Sequence, residues 1–112
     1  MKILEAVVNL PNRDNQTSSF AYVKKHQICE FVGELDENEI AQILKSNPSL
    51  VSSWLIYSED QRSSDAWYVL AVDDRKFEVG HLPSKAADVF DDAYLAVANF
   101  IVKNIKQVCE LK

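Results

Sequence analysis

Phe90, Tyr94, Val97, Ile101, Ile105 and Val108 recur at intervals of three and four residues through the last quarter of the chain. That spacing puts all six on one face of an α-helix. A helix carrying so continuous an apolar face must bury it, so the rest of the chain has to supply the opposing surface. Asp91 is placed to act as N-cap, with Phe90 and Leu95 as flanking staple partners. Asp91 and Asp92 complement the positive end of the helix dipole, and Lys103, Lys106 and Lys112 lie toward its negative end. Both aspartates therefore have a structural reason to be present.

A second helix is marked by "LDENEIAQILKSNP", residues 35–48. Asp36 and Glu39 stand at capping-box spacing, and Leu35 can staple onto Ile40. Ile40, Ile43 and Leu44 form the inner face, and Asn47-Pro48 ends the pattern. Residues 20–32, "FAYVKKHQICEFV", fit neither helical nor strand periodicity well. Ser18 or Ser19 can cap a helix there and Gly33 can end one. Two short strands flanking 24–27 explain the residues almost as well, and the reading leans only slightly to helix.

Four segments read as strands. Residues 2–10, "KILEAVVNL", are rich in branched aliphatics and are closed by Asn9 and Pro11. Residues 11–19 then form a polar loop. "SSWLIYS" (52–58), "AWYVLAV" (66–72) and "KFEVGHL" (76–82) follow. The second of these three is apolar on both faces, as a central strand should be, and Asp73-Asp74 suits a tight hairpin to the third. The seven residues "EDQRSSD" (59–65) are longer than most hairpin loops. The expected fold is one α+β domain spanning residues 1–112, a mainly antiparallel sheet of about four strands with two or three helices on one face. At 112 residues, a chain can form one core without metal or disulfide staples.

Charge narrows the function. Net charge is −5, which argues against direct nucleic-acid binding through phosphate neutralisation. The excess lies in the middle: residues 1–29 carry a net +2, residues 30–65 a net −6 and residues 66–112 a net −1. Such asymmetry can steer a basic partner. No apolar run approaches the roughly 18 residues of a membrane span, and no signal-peptide pattern is visible, so a cytoplasmic location is expected. Cys29 and Cys109, each among apolar neighbours, read as reduced, buried thiols.

Catalytic chemistry finds little purchase. No metal-ligand spacing emerges around His26, His81 or the cysteines, and no cofactor is implied. Gly33 and Gly80 lie too far apart for a phosphate-binding loop. The carboxylate pairs Glu59-Asp60, Asp73-Asp74 and Asp91-Asp92 sit beside turns or a helix start, where water should reach them, whereas general acid–base work needs one of them desolvated. A small enzyme using His26, His81 or such a pair is the minority reading, so the chain is read as non-enzymatic. Among the aromatics, one member of each pair Trp54/Tyr57 and Trp67/Tyr68 can fill the core while the other faces outward. Exposed tyrosines serve as binding anchors, although cross-strand packing explains them equally well.

The hairpin "WYVLAVDDRKFEVGHL" and the helix "FDDAYLAVANFI", in a small acidic α+β chain, resemble bacterial toxin-immunity proteins of the contact-dependent growth inhibition type. The likeness covers roughly residues 50–105. It implies a non-enzymatic inhibitor that binds one cognate toxin domain, often a nuclease, in the cytosol. In that reading Glu59, Asp60 and Asp65, with Asp36 and Glu37 as a second group, supply negative charge to a basic toxin cleft. Tyr57 and Tyr68 are the candidate anchors. The alternative is a non-catalytic structural or regulatory subunit, such as a homodimer joined through a sheet edge or an uncovered sheet face.

Overall fold

The computed structural model describes residues 2–14, 16–61, 66–82 and 87–110. Its N-terminal segment is helical, where a strand was expected. Helix α1 (Lys2–Val8) runs into a 3₁₀ turn at Leu10–Asn12. Leu4, Val7 and Val8 are buried together, and their i, i+3, i+4 spacing shares one face only in a helix. Branched side chains favour a strand intrinsically, but burial of that face overrides the preference.

The ambiguous segment after it contains no strand. Helix α2 (Ser19–Lys25) is capped by Ser18, whose Oγ accepts from Ala21 N–H at 3.0 Å. The chain then turns through Gln27, held at φ 56°, into a 3₁₀ helix at Ile28–Glu34. Helix α3 (Glu37–Ser46) forms as expected, with Asp36 Oδ1 accepting from Asn38 N–H at 2.7 Å. Ile40 and Leu44 are buried on its inner face and Ile43 is half-buried.

Residues 52–58, expected as a strand, belong to helix α4 (Ser49–Gln61). Pro48 immediately precedes it, and Val51 N–H donates to Pro48 C=O. Leu50, Trp54, Tyr57 and Ser58 all point inward, an i, i+4, i+7, i+8 series that defines a helix face.

The sheet has three antiparallel strands in the order β1 (Ala66–Ala71), β2 (Phe77–Leu82), β3 (Ala87–Phe90). The β1–β2 hairpin matches expectation. Asp73 shapes its turn by accepting from Arg75 and Lys76 N–H at 2.8 and 2.9 Å. The central strand, however, is β2 and not β1. Residues 87–90, for which no strand was expected, pair with β2 and set Phe90 opposite Phe77. Because Phe90 is still in the strand, the last helix starts later than its sequence signature implied. Asp92, not Asp91, caps α5 (Ala93–Glu110), accepting from Tyr94 N–H at 2.8 Å. Among the described residues the fold is thus α+β with three strands and five α-helices, one strand fewer and more helix than expected.

Helix α5 is the axis of the molecule. It crosses the sheet face that carries Val69 and Val79, and packs against α2, α3, α4 and the 3₁₀ helix. Phe100, Ile101 and Ile105 are fully buried along it. Near its end Cys109 is joined to Cys29 by a disulfide, Cα–Cα 5.6 Å. This corrects the expectation of two separate thiols: residues 80 positions apart in sequence meet only because α5 lies along the 3₁₀ helix. None of the described helices is long and apolar enough to cross a membrane.

Candidate binding surface

Polar contacts of three buried side chains fix how α4 is rotated about its axis. Trp54 Nε1–H donates to Val8 C=O at 3.0 Å. Tyr57 Oη lies 3.0 Å from Ser19 Oγ and accepts from Asn104 Nδ2 at 2.9 Å. Ser58 Oγ bonds both backbone groups of Val69. With that face locked inward, Ser52, Ile56, Glu59 and Asp60 face solvent. Ile56 is 61% exposed, and the two carboxylates follow it one turn further along the helix.

The charge on this face opposes the helix. The C-terminal end of an α-helix carries partial negative charge and favours cations. Yet α4 has no acidic residue in its first turn and no basic residue in its last, where Glu59 and Asp60 stand instead. Neither carboxylate caps a helix or forms an ion pair with a described residue. They gain nothing locally from their position.

The other residues considered from sequence are placed differently. Asp36 is engaged as the α3 cap. Glu37 Oε1 accepts from Asn99 Nδ2 at 2.9 Å, which ties it to α5. Asn99 and Asn104 are five residues apart on that helix, about 140° around its axis. The group at Asp36 and Glu37 therefore attaches to one flank of α5 and the α4 group to another. Asp65 lies outside the described residues. Tyr57 is 5% exposed and packs edge-on to Trp54 and Phe100, with Arg13 stacked over its ring. Tyr68 is 9% exposed, lies across Gly80 and donates to Glu78 Oε2 at 2.6 Å. Both rings face protein, not solvent. Sequence reasoning missed Ile56, whose outward position becomes legible only once 49–61 is recognised as a helix.

The concave parts of the surface offer little reactive chemistry. A cleft of about 710 Å³ is lined by Glu5, Asn9, Gln42, Ser46 and Asn47 between α1 and the α3–α4 junction. Its polar groups are turned to their own backbone: Asn9 Nδ2 donates to Glu5 C=O and Ser46 Oγ to Gln42 C=O. No three His, Cys, Asp or Glu among the described residues converge as metal ligands. His26 stacks on Tyr22 and His81 on Trp67. Burial pushes the Tyr22 hydroxyl above its usual pKa, and that hydroxyl donates to Ala6 C=O at 2.6 Å. Trp67 also receives the Lys103 ammonium, 4.6 Å above its ring, and Lys103 approaches Asp88 at 3.8 Å.

No family model matches the chain, and the curated proteins and solved structures likewise gave no match.

Proposed function

We propose that this protein is a non-catalytic binding module of the immunity type. In this reading it neutralises a cognate toxin domain, a nuclease in the simplest case, by laying an acidic surface over a basic active site. One observation carries it: α4 presents an exposed isoleucine followed by two carboxylates whose position runs against the helix dipole. Charges that lose energy in the free protein are accounted for if they meet cations in a complex. An exposed aliphatic beside them supplies the desolvated contact that fixes orientation. Nuclease clefts are basic because they hold phosphates, so the two surfaces would be complementary. The proposed site of action is the cytoplasm, where such a toxin reaches nucleic acid.

The test is recovery of partners on the tagged protein from the cells that make it, alongside survival of cells that express neighbouring toxin genes. The expected result is a basic protein retained by the wild type and lost with E59K/D60K, with protection lost in parallel. Recovery of no basic protein, together with survival that does not depend on this chain, would overturn the reading.

A second reading is favoured by the sheet. At the outer edge of β1 Ser58 occupies the backbone groups of Val69, while β3 has no strand on its far side among the described residues. Val89 of β3 is 58% exposed. A homodimer paired through β3 would use that edge. It predicts a solution mass that doubles with concentration, and a monomer at high concentration rules it out.

A further inference from the structure

The Cys29–Cys109 bond joins two parts of the chain that are already held by their own packing. Ile28 is fully buried beside Cys29, and Ile105 is fully buried one turn before Cys109. The bond therefore adds a tie at the periphery of the core and does not replace it. The two cysteines differ in setting. Cys109 is 8% exposed, whereas Cys29 is half-buried and borders an open groove of about 590 Å³ lined by Phe20, Val23, Lys24, Gln27 and Glu30. Phe20 is itself 40% exposed at the groove.

Two residues before Cys29, Gln27 holds φ 56° and ψ 31°. Among the described residues it alone combines a side chain beyond glycine with positive φ. A left-handed glutamine is an uncommon conformation that its surroundings must hold in place. Here the turn is held between α2, capped at Ser18, and the 3₁₀ helix that the disulfide fastens to α5. A strained turn next to an accessible disulfide is a hinge with a catch.

We infer that Cys29–Cys109 is a reducible clasp, which pins the 3₁₀ helix at 28–34 to the end of α5 when oxidised and releases that segment about Gln27 when reduced. The reductant is a dithiol. Its thiolate enters the groove beside the Lys24 ammonium and attacks Cys29 Sγ, forming a mixed disulfide and expelling Cys109 as thiolate, which takes up a proton. The second thiol of the reductant then displaces Cys29. Two electrons and two protons pass to the protein as two thiols, and the reductant leaves as its cyclic disulfide. This inference goes beyond the binding reading and does not depend on it. It sets a condition on location: the clasp is closed in an oxidising compartment and opens in a reducing one.

Hydrogen exchange on the wild type, with and without dithiothreitol, tests this, with intact mass and alkylation reporting the thiol state. Protein prepared without reductant is expected to show no alkylatable thiol. On reduction, exchange should rise at least tenfold at residues 27–34 and 106–110 while the β1–β2 hairpin keeps its protection. Oxidised glutathione should restore the original pattern. C29S/C109S should exchange like the reduced wild type and ignore dithiothreitol. Free thiols after air oxidation, or identical exchange in the two states, would overturn the clasp. A loss of protection across the whole chain, in the variant or on reduction, would also overturn it, because the bond would then be an obligate staple.

Discussion

Ser58 Oγ donates to Val69 C=O at 3.1 Å and accepts from Val69 N–H at 2.8 Å, so one hydroxyl of α4 satisfies both backbone groups that Val69 turns outward at the β1 edge. Ser58 is fully buried and Val69 1% exposed. A sheet edge normally presents such groups to water or to another strand. Here α4 lies against that edge, and a single side chain does the pairing at Val69.

Ser58→Ala removes that hydroxyl and leaves a buried donor and a buried acceptor without partners. Each unsatisfied group costs about 1–3 kcal/mol, so the variant should lose about 2–4 kcal/mol, allowing for partial relaxation. Urea unfolding followed by tryptophan fluorescence measures it. A loss below about half a kcal/mol, against that same cost per group, would mean that water reaches the β1 edge.

Tyr57→Phe separates packing from hydrogen bonding. The ring contacts with Trp54 and Phe100 survive, but Asn104, only 6% exposed, loses the acceptor of its Nδ2. The expected loss is about 1–2 kcal/mol, whereas Tyr57→Ala should cost about 3–5 kcal/mol through cavity formation. Equal losses in the two variants would show that the hydroxyl, not the ring, holds α4 in place.

These two residues also show what the sequence made legible. In α3 and the hairpin the capping or turn residue agrees with the periodicity and the fold follows, whereas in α5 the periodicity holds but the cap moves from Asp91 to Asp92 because Phe90 ends β3. Residues 49–61 hide their helix because Val51 and Leu55 are half-buried and Ile56 faces outward. Apolar residues thus surround the axis, and the window 52–58 resembles a β-rich strand. The series Leu50, Trp54, Tyr57, Ser58 shows only when the window starts at Ser49. Reading Tyr57 as a surface anchor rested on strand alternation, and in a helix the same residue falls on the inner face. The Cys29–Cys109 contact depends on how α5 packs, which no local pattern encodes. Sequence marks Glu59 and Asp60 only as acidic residues beside a turn, and their opposition to a dipole becomes visible once 49–61 is a helix.

Gly80 and Tyr68 form a second interdependent pair. A Cβ at residue 80 would stand 2.6 Å from Tyr68 Cζ, closer than any real contact. Gly80→Ala must therefore displace the ring and weaken its hydrogen bond to Glu78. It should cost about 1–3 kcal/mol. Tyr68→Leu vacates the space, so adding Gly80→Ala to it should cost much less than in the wild type. Thermal unfolding of the four proteins in a double-mutant cycle reads this coupling. Additive losses would place the strain in the β2 backbone and not in the ring.

Charge reversal at the end of α4 separates stability from binding. Glu59→Lys and Asp60→Lys put cations where the helix dipole favours them, so the urea midpoint of the double variant should stay level or rise, most visibly at low salt. The same change should weaken capture of a basic partner at least tenfold and flatten the salt dependence of its association rate. Ile56→Ser should weaken binding as well while leaving that salt dependence intact, because it removes contact area and no charge. Circular dichroism and partner titration on the same preparations give both readouts. A destabilised double variant would assign the two carboxylates a folding role. Unchanged binding by a stable one would move the partner surface away from α4.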